Sequence, residues 1–85
     1  PDYLPTYFNL GLVYYHWKRY QNALLKFQEA KTKGFDNPLV QYNLGLVNAA
    51  MGKSDQARQI WKALLTANGA GPLAAEIQKQ LGSLK

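Results

Sequence analysis

The sequence predicts an all-α fold: five helices, arranged as two antiparallel helix pairs followed by a single helix. Three observations predict it. The string Asn-Leu-Gly-Leu-Val stands at residues 9–13 and again at 43–47, 34 positions later. The same offset relates Ala23 to Ala57, Phe27 to Trp61 and Pro38 to Pro72. Between these marks apolar residues recur at helical spacing, and the breaks are short. A period of roughly 20–50 residues marks a repeat architecture in which each unit is one supersecondary element. Connections of roughly two to five residues then lay successive helices side by side.

The first helix runs from Pro5, which suits a first turn where a missing N–H costs nothing, to about Trp17. Tyr7, Leu10, Gly11 and Tyr14 fall on one face, at i, i+3, i+4 and i+7. Lys18-Arg19 interrupts the pattern. A second helix spans about Tyr20 to Lys33, with Tyr20, Ala23, Leu24, Phe27 and Ala30 as its apolar face, and Gly34 stops it. Asn37 caps and Pro38 opens the third helix, which runs to about Met51. Gly52-Lys53 breaks it. Ser54 reads as the N-cap of the fourth helix, with Asp55 favourable at its positive end and Ala57, Ile60, Trp61 and Leu64 as the buried stripe. Asn68-Gly69-Ala70-Gly71 ends it. Pro72 starts a shorter, more polar fifth helix that ends near Gly82.

Mid-helix glycine costs about 1 kcal/mol relative to alanine, so Gly11 and Gly45 at one repeat position imply close approach of the second helix of each pair. The expected arrangement sets Ala23 and Ala57 opposite the glycines, with Phe27 and Trp61 one turn further on. Leu10 and Leu44 are expected to face the partner helix.

Composition narrows the function classes. Among 85 residues, 47% are hydrophobic, enough for a core. There is no cysteine, so neither disulfides nor thiolate sites hold the chain together. The net charge of +5 raises the question of an anionic partner. However, Lys18, Arg19, Lys26, Lys31, Lys33, Lys53, Arg58 and Lys62 fall at turns or on second helices, where a solvated face is the ordinary reading. No apolar run reaches the roughly 20 residues of a membrane span. His16 is the one histidine, and with no cysteine or clustered carboxylates beside it no metal site is expected. Asp2, Glu29, Asp36, Asp55 and Glu76 are scattered, so no acid–base pair is evident. The glycines form no phosphate-binding loop. These patterns point away from an enzyme and imply no cofactor. The abrupt start at Pro1-Asp2-Tyr3 reads as a segment of a larger protein.

Tyr7, Leu10-Gly11, Tyr14, Ala23, Phe27 and Ala30 in the first unit, with Leu44-Gly45, Ala57 and Trp61 in the second, resemble the tetratricopeptide repeat (TPR). The units are about 4–37 and 38–71, and residues 72–84 resemble the polar helix that closes such arrays, or a degenerate third repeat. In the second unit Gln41 and Asn48 replace the aromatics, and Leu64 replaces the small residue at Ala30. The resemblance implies a right-handed α-solenoid whose first helices line a concave, peptide-binding surface. It assigns that groove to Phe8, Leu12, Tyr15 and His16 from the first unit and to Leu39, Tyr42, Asn43, Leu46, Ala49 and Ala50 from the second. Phe8, Leu12, Tyr15 and His16 follow i, i+4, i+7 and i+8, a second stripe on the first helix. A helix with two apolar faces packs against two things, its partner helix and either a neighbouring repeat or a ligand. Phe8 and Leu12 stand where carboxylate-clamp TPRs carry lysine and asparagine, and Asn43 matches a clamp asparagine. The expected groove is therefore apolar and aromatic.

The leading expectation is a protein–protein interaction scaffold with a protein or peptide partner. A second reading is RNA binding: Ala30-Lys31-Thr32-Lys33-Gly34, followed by Tyr42-Asn43, is similar to the junction of pentatricopeptide repeats, which read single-stranded RNA one base per repeat. The Leu-Gly pair and the lack of short polar residues recurring in one register count against it, so nucleic acid is not the expected partner. A third reading is a homo-oligomer formed by end-to-end stacking of terminal repeat faces.

Overall fold

The 34-residue period reappears in where the helices begin. The computed structural model describes residues 4–34, 38–66 and 71–84, with side chains from residue 6 onward. It contains α1 (Leu4–His16), α2 (Tyr20–Thr32), α3 (Pro38–Ala50), α4 (Ser54–Thr66), a 3-10 turn (Gly71–Leu73) and α5 (Ala74–Ser83). The starts of α3 and α4 each fall 34 residues after those of α1 and α2. Pro72 lies in the 3-10 turn and does not open the helix, so α5 starts two residues later than the sequence suggests. The expected cap at Asn37 and the stop at Asn68-Gly69-Ala70 lie outside the described residues.

The two intra-pair turns are built alike. In the first, the amides of Lys18 and Arg19 donate to the carbonyls of Tyr15 and Tyr14, at 3.0 and 2.8 Å. In the second, the amides of Gly52 and Lys53 donate to those of Ala49 and Asn48, at 3.1 and 2.8 Å. This double bond pattern closes a helix C-terminus through one left-handed residue. That residue is Lys18 (φ 60°) in one turn and Gly52 (φ 82°) in the other. Ser54 is the first residue of α4 and not its cap. The opening bond runs from the Ala57 amide to the Lys53 carbonyl, which places Lys53 at the half-in position.

Helices adjacent in sequence are adjacent in space, α1 on α2, α2 on α3, α3 on α4 and α4 on α5. Two hydrophobic clusters result. One gathers Ala23 and Phe27 of α2 with Val40, Leu44 and Val47 of α3. The other gathers Tyr42, Ala57, Trp61 and Leu64 with Ile77 of α5. Ile60 packs against both.

The repeated glycines do admit a close neighbour, and the atoms nearest to each are those of the aromatic ring. A Cβ on Gly11 would come within 2.5 Å of Phe27 Cε1, and one on Gly45 would fall inside the Trp61 indole. The indole is held there by its N–H, which donates to the Tyr42 carbonyl at 3.1 Å. Leu10 and Leu44 also depart from the expected contact with the partner helix of their own pair. Leu44 is buried in the α2–α3 cluster, whereas its counterpart Leu10 is exposed. The side of α3 that carries Leu44 is covered by α2, and among the described residues no helix covers the same side of α1.

Candidate binding surface

The second stripe of α1 is half-buried. Phe8, Leu12 and Tyr15 rest on the α2–α3 cluster while part of each remains at the surface. The Phe8 ring lies 5.7 Å from that of Phe27. Tyr15 sits between two rings, 5.6 Å from Tyr20 and 6.2 Å from His16. Burial, and secondarily the neighbouring Tyr20 phenol, push the Tyr15 phenol above its ordinary range. His16 ends α1 and is exposed. The structure therefore brings Phe8, Leu12 and Tyr15 together along one side of α1 against the α2–α3 cluster, with exposed His16 beside Tyr15 at the helix end.

The residues expected from α3 divide. Leu39 is exposed and belongs to neither cluster, and Leu46 is half-buried against the α4–α5 cluster. Ala49 is half-buried and Ala50 exposed. Tyr42 and Asn43 are core residues instead of surface contacts, each 8% exposed. Asn43 spends its amide within its own helix, Nδ2 donating to the Leu39 carbonyl at 2.9 Å. Buried Asn48 does the same toward Leu44 at 2.8 Å. Tyr42 packs its ring 6.1 Å from Trp61.

The Tyr42 phenol meets α5. Burial raises its pKa above the usual range, and Glu76 and Tyr15 act in the same direction, while a hydrogen bond with Gln80 opposes them. The Tyr42 phenol therefore lies near Tyr15 of α1 on one side and Glu76 and Gln80 of α5 on the other. Sequence reasoning left out Glu76 and Gln80 because it treated the last helix as a closing element. The signal was present in the period: Glu76 and Gln80 stand 34 residues after Tyr42 and Leu46.

Neither α1 nor α3 carries a lysine or arginine, though Lys33 lies 5.4 Å over the Tyr7 ring and Lys79 is exposed on α5. Lys18, Arg19, Lys31, Lys53 and Lys62 are exposed at turns and on α2 and α4. Lys26 pairs with Glu29, and Arg58 with Asp55, at 2.9 Å each. Among the described residues no three of His, Cys, Asp and Glu gather closely enough to hold a metal ion. No described helix is long and apolar enough to cross a membrane. Comparison of the chain with known protein families, with curated proteins and with solved structures found no match.

Proposed function

We propose that the chain is a right-handed α-solenoid of antiparallel helix pairs, of the tetratricopeptide kind. In this reading it acts as a protein–protein interaction scaffold and does no chemistry of its own. The ligand is a peptide or partner segment laid across the aromatic stripe of α1 and the neighbouring face of α3. The observation that supports this most is the row Phe8, Leu12 and Tyr15, half-buried and ordered on a second face of α1 by Phe27 and Tyr20. Rings held by packing on one side and open on the other give contact area at little entropic cost, as tyrosines at interfaces do. Gln80 and Glu76 supply polar groups at the far rim of the surface. α1 and α3 carry no lysine or arginine of their own, so a single-stranded RNA would have little charge to follow along them.

Selection of displayed random peptides on the 85-residue chain tests this. The expected product is a set of apolar and aromatic peptides whose binding is insensitive to salt. Tyr15→Ala and Leu12→Ala should each weaken them about tenfold or more, with helicity retained by circular dichroism. No enrichment, or binding indifferent to both substitutions, would overturn the reading. Retention of single-stranded RNA at low salt, with loss at high salt, would favour the nucleic-acid alternative.

A further inference from the structure

The internal repeat shows what the second unit lacks. In the first unit Tyr15 and Tyr20 fill the corner where α1 turns into α2. Their rings lie 5.6 Å apart, and both are half-buried against the α2–α3 cluster. One period later, where α3 turns into α4, the same two positions hold Ala49 and Ser54, and Gly52 stands in place of Lys18. The backbone of this corner keeps the hydrogen bonds of the first, amide for amide. Three side chains are therefore shorter in a corner of matching backbone. No aromatic residue of α5 makes up the difference, since that helix reads Ala-Ala-Glu-Ile-Gln-Lys-Gln-Leu-Gly-Ser. A hollow of 380 Å³ remains, walled by Ala49, Gly52 and Ser54 on one side and by Gln80, Ser83 and the adjoining Leu84 on the other. Both walls lie within the described residues.

We infer that this hollow receives a tyrosine side chain of the partner segment. The inference rests on the peptide-binding reading and gives that peptide its anchor. Size and polarity select the occupant. A cavity of roughly 150 Å³ holds a benzene ring, so one phenol ring fits with room for its stem. Ala49 and Leu84 pack on the α4–α5 cluster and give the ring an apolar floor. Ser54, Gln80 and Ser83 put two hydroxyls and an amide around it. The Ser83 hydroxyl donates to the Lys79 carbonyl at 3.2 Å, which leaves its oxygen able to accept a phenol O–H. An apolar body with one wet, hydrogen-bonding end is what a tyrosine presents. None of the six lining residues is charged, so an ionic side chain would find no counter-charge there. Position agrees as well. Ala49 follows Leu46 by about one helical turn, and Gln80 hydrogen-bonds the Tyr42 phenol, so a segment crossing from α1 to α5 passes beside the hollow. The chain itself uses tyrosines in the equivalent place of the first unit.

Nuclear magnetic resonance of the backbone amides tests this with p-cresol, the free side chain of tyrosine. Titrated into the 85-residue chain, p-cresol should shift the amides of Gly52, Ser54 and Ser83 and saturate at about 1–10 mM, as so small a ligand allows. Toluene, the same ring without a hydroxyl, should bind about threefold or more weakly. Ala49→Tyr restores the residue of the first unit, and Ser83→Trp closes the opposite wall from an exposed position. Each should abolish the shifts with helicity unchanged. Peptides selected on the chain should carry a tyrosine whose replacement by alanine weakens binding about tenfold or more, and Ala49→Tyr should remove that dependence. No saturable shift at these amides, shifts that survive both substitutions, or toluene bound as tightly as p-cresol would each overturn the inference. The two readings fail separately. Peptides that need Tyr15 and Leu12 but ignore Ala49→Tyr would overturn the anchor and leave the scaffold standing. p-Cresol bound in the hollow with no peptide selected would overturn the scaffold while the phenol site stands.

Discussion

At Gly45 helix propensity and packing pull in opposite directions. Propensity alone favours Gly45→Ala by about 1 kcal/mol. The new Cβ, however, falls inside a fully buried Trp61 indole whose N–H is tied to the Tyr42 carbonyl. Relief requires the ring to move and that bond to stretch, so Gly45→Ala should lose about 1–3 kcal/mol net. At Gly11 the obstacle is Phe27, which has no polar tie and meets the half-buried Phe8, so Gly11→Ala should cost less. Urea midpoints of the two variants give the sign and the order. The pair of glycines was readable from the sequence, but their neighbour was not. Spacing marks where a side chain is missing and leaves open how far a large ring reaches back over the preceding turn. Tyr42 was misjudged for a related reason. Its aromatic character suggested a wet contact, but the covering residues come from α5, whose approach no local pattern specifies. The Tyr42 phenol has a raised pKa in the folded chain, so below about pH 10 it is neutral in both states and adds no pH dependence. Above that, the unfolded chain releases its proton first and stability falls as pH rises. Tyr42→Phe should make the alkaline fall of the urea midpoint shallower, and Tyr15, raised in the same direction, accounts for part of what remains.

Between elements, the two intra-pair turns form a natural experiment. Their backbone bonds match one for one, yet the left-handed position holds lysine in one and glycine in the other. A left-handed residue with a Cβ costs roughly 1–2 kcal/mol, and glycine gives back roughly 0.4–1 kcal/mol through the freedom of the unfolded chain. Lys18→Gly should therefore stabilise by about 0.5–1 kcal/mol, and Gly52→Lys should destabilise by a similar amount. Thermal melts of both would show shifts of opposite sign, and two shifts of the same sign would contradict the account. The breaks at Lys18-Arg19 and Gly52-Lys53 were visible in the sequence as interruptions of periodicity. Ser54 misled because Ser-Asp reads as a cap pair. The carbonyl of Lys53 takes the first helical bond instead, since the left-handed residue before it sets where the chain turns back into helix.

For the whole molecule, the legible part is the part that repeats. The apolar spacing and the 34-residue offset predict helices that the structure places within a residue or two. The exposed seam on α1 was less legible, because Leu10 and Leu44 are the same residue at the same repeat position and only their neighbours differ. Its two clusters are joined across α2–α3 and through Ile60, which touches both. That connection decides how the chain unfolds. If the clusters were independent, damage to the α4–α5 cluster would release α5 and leave the first pair untouched. With Ile60 shared and α2 packed on α3, loss at one end is felt at the other, as nearest-neighbour coupling in a short array requires. Ile77 is fully buried and is the side chain α5 inserts into that cluster. Ile77→Ala should cost about 2–5 kcal/mol, a large part of what a domain of this size holds. Urea unfolding read by far-ultraviolet circular dichroism and by Trp61 fluorescence, in a Trp17→Phe background, should give one coincident transition for parent and variant, displaced to lower urea in the variant. Two separated transitions, or a variant whose first pair melts at the parental midpoint, would show that the clusters fold independently.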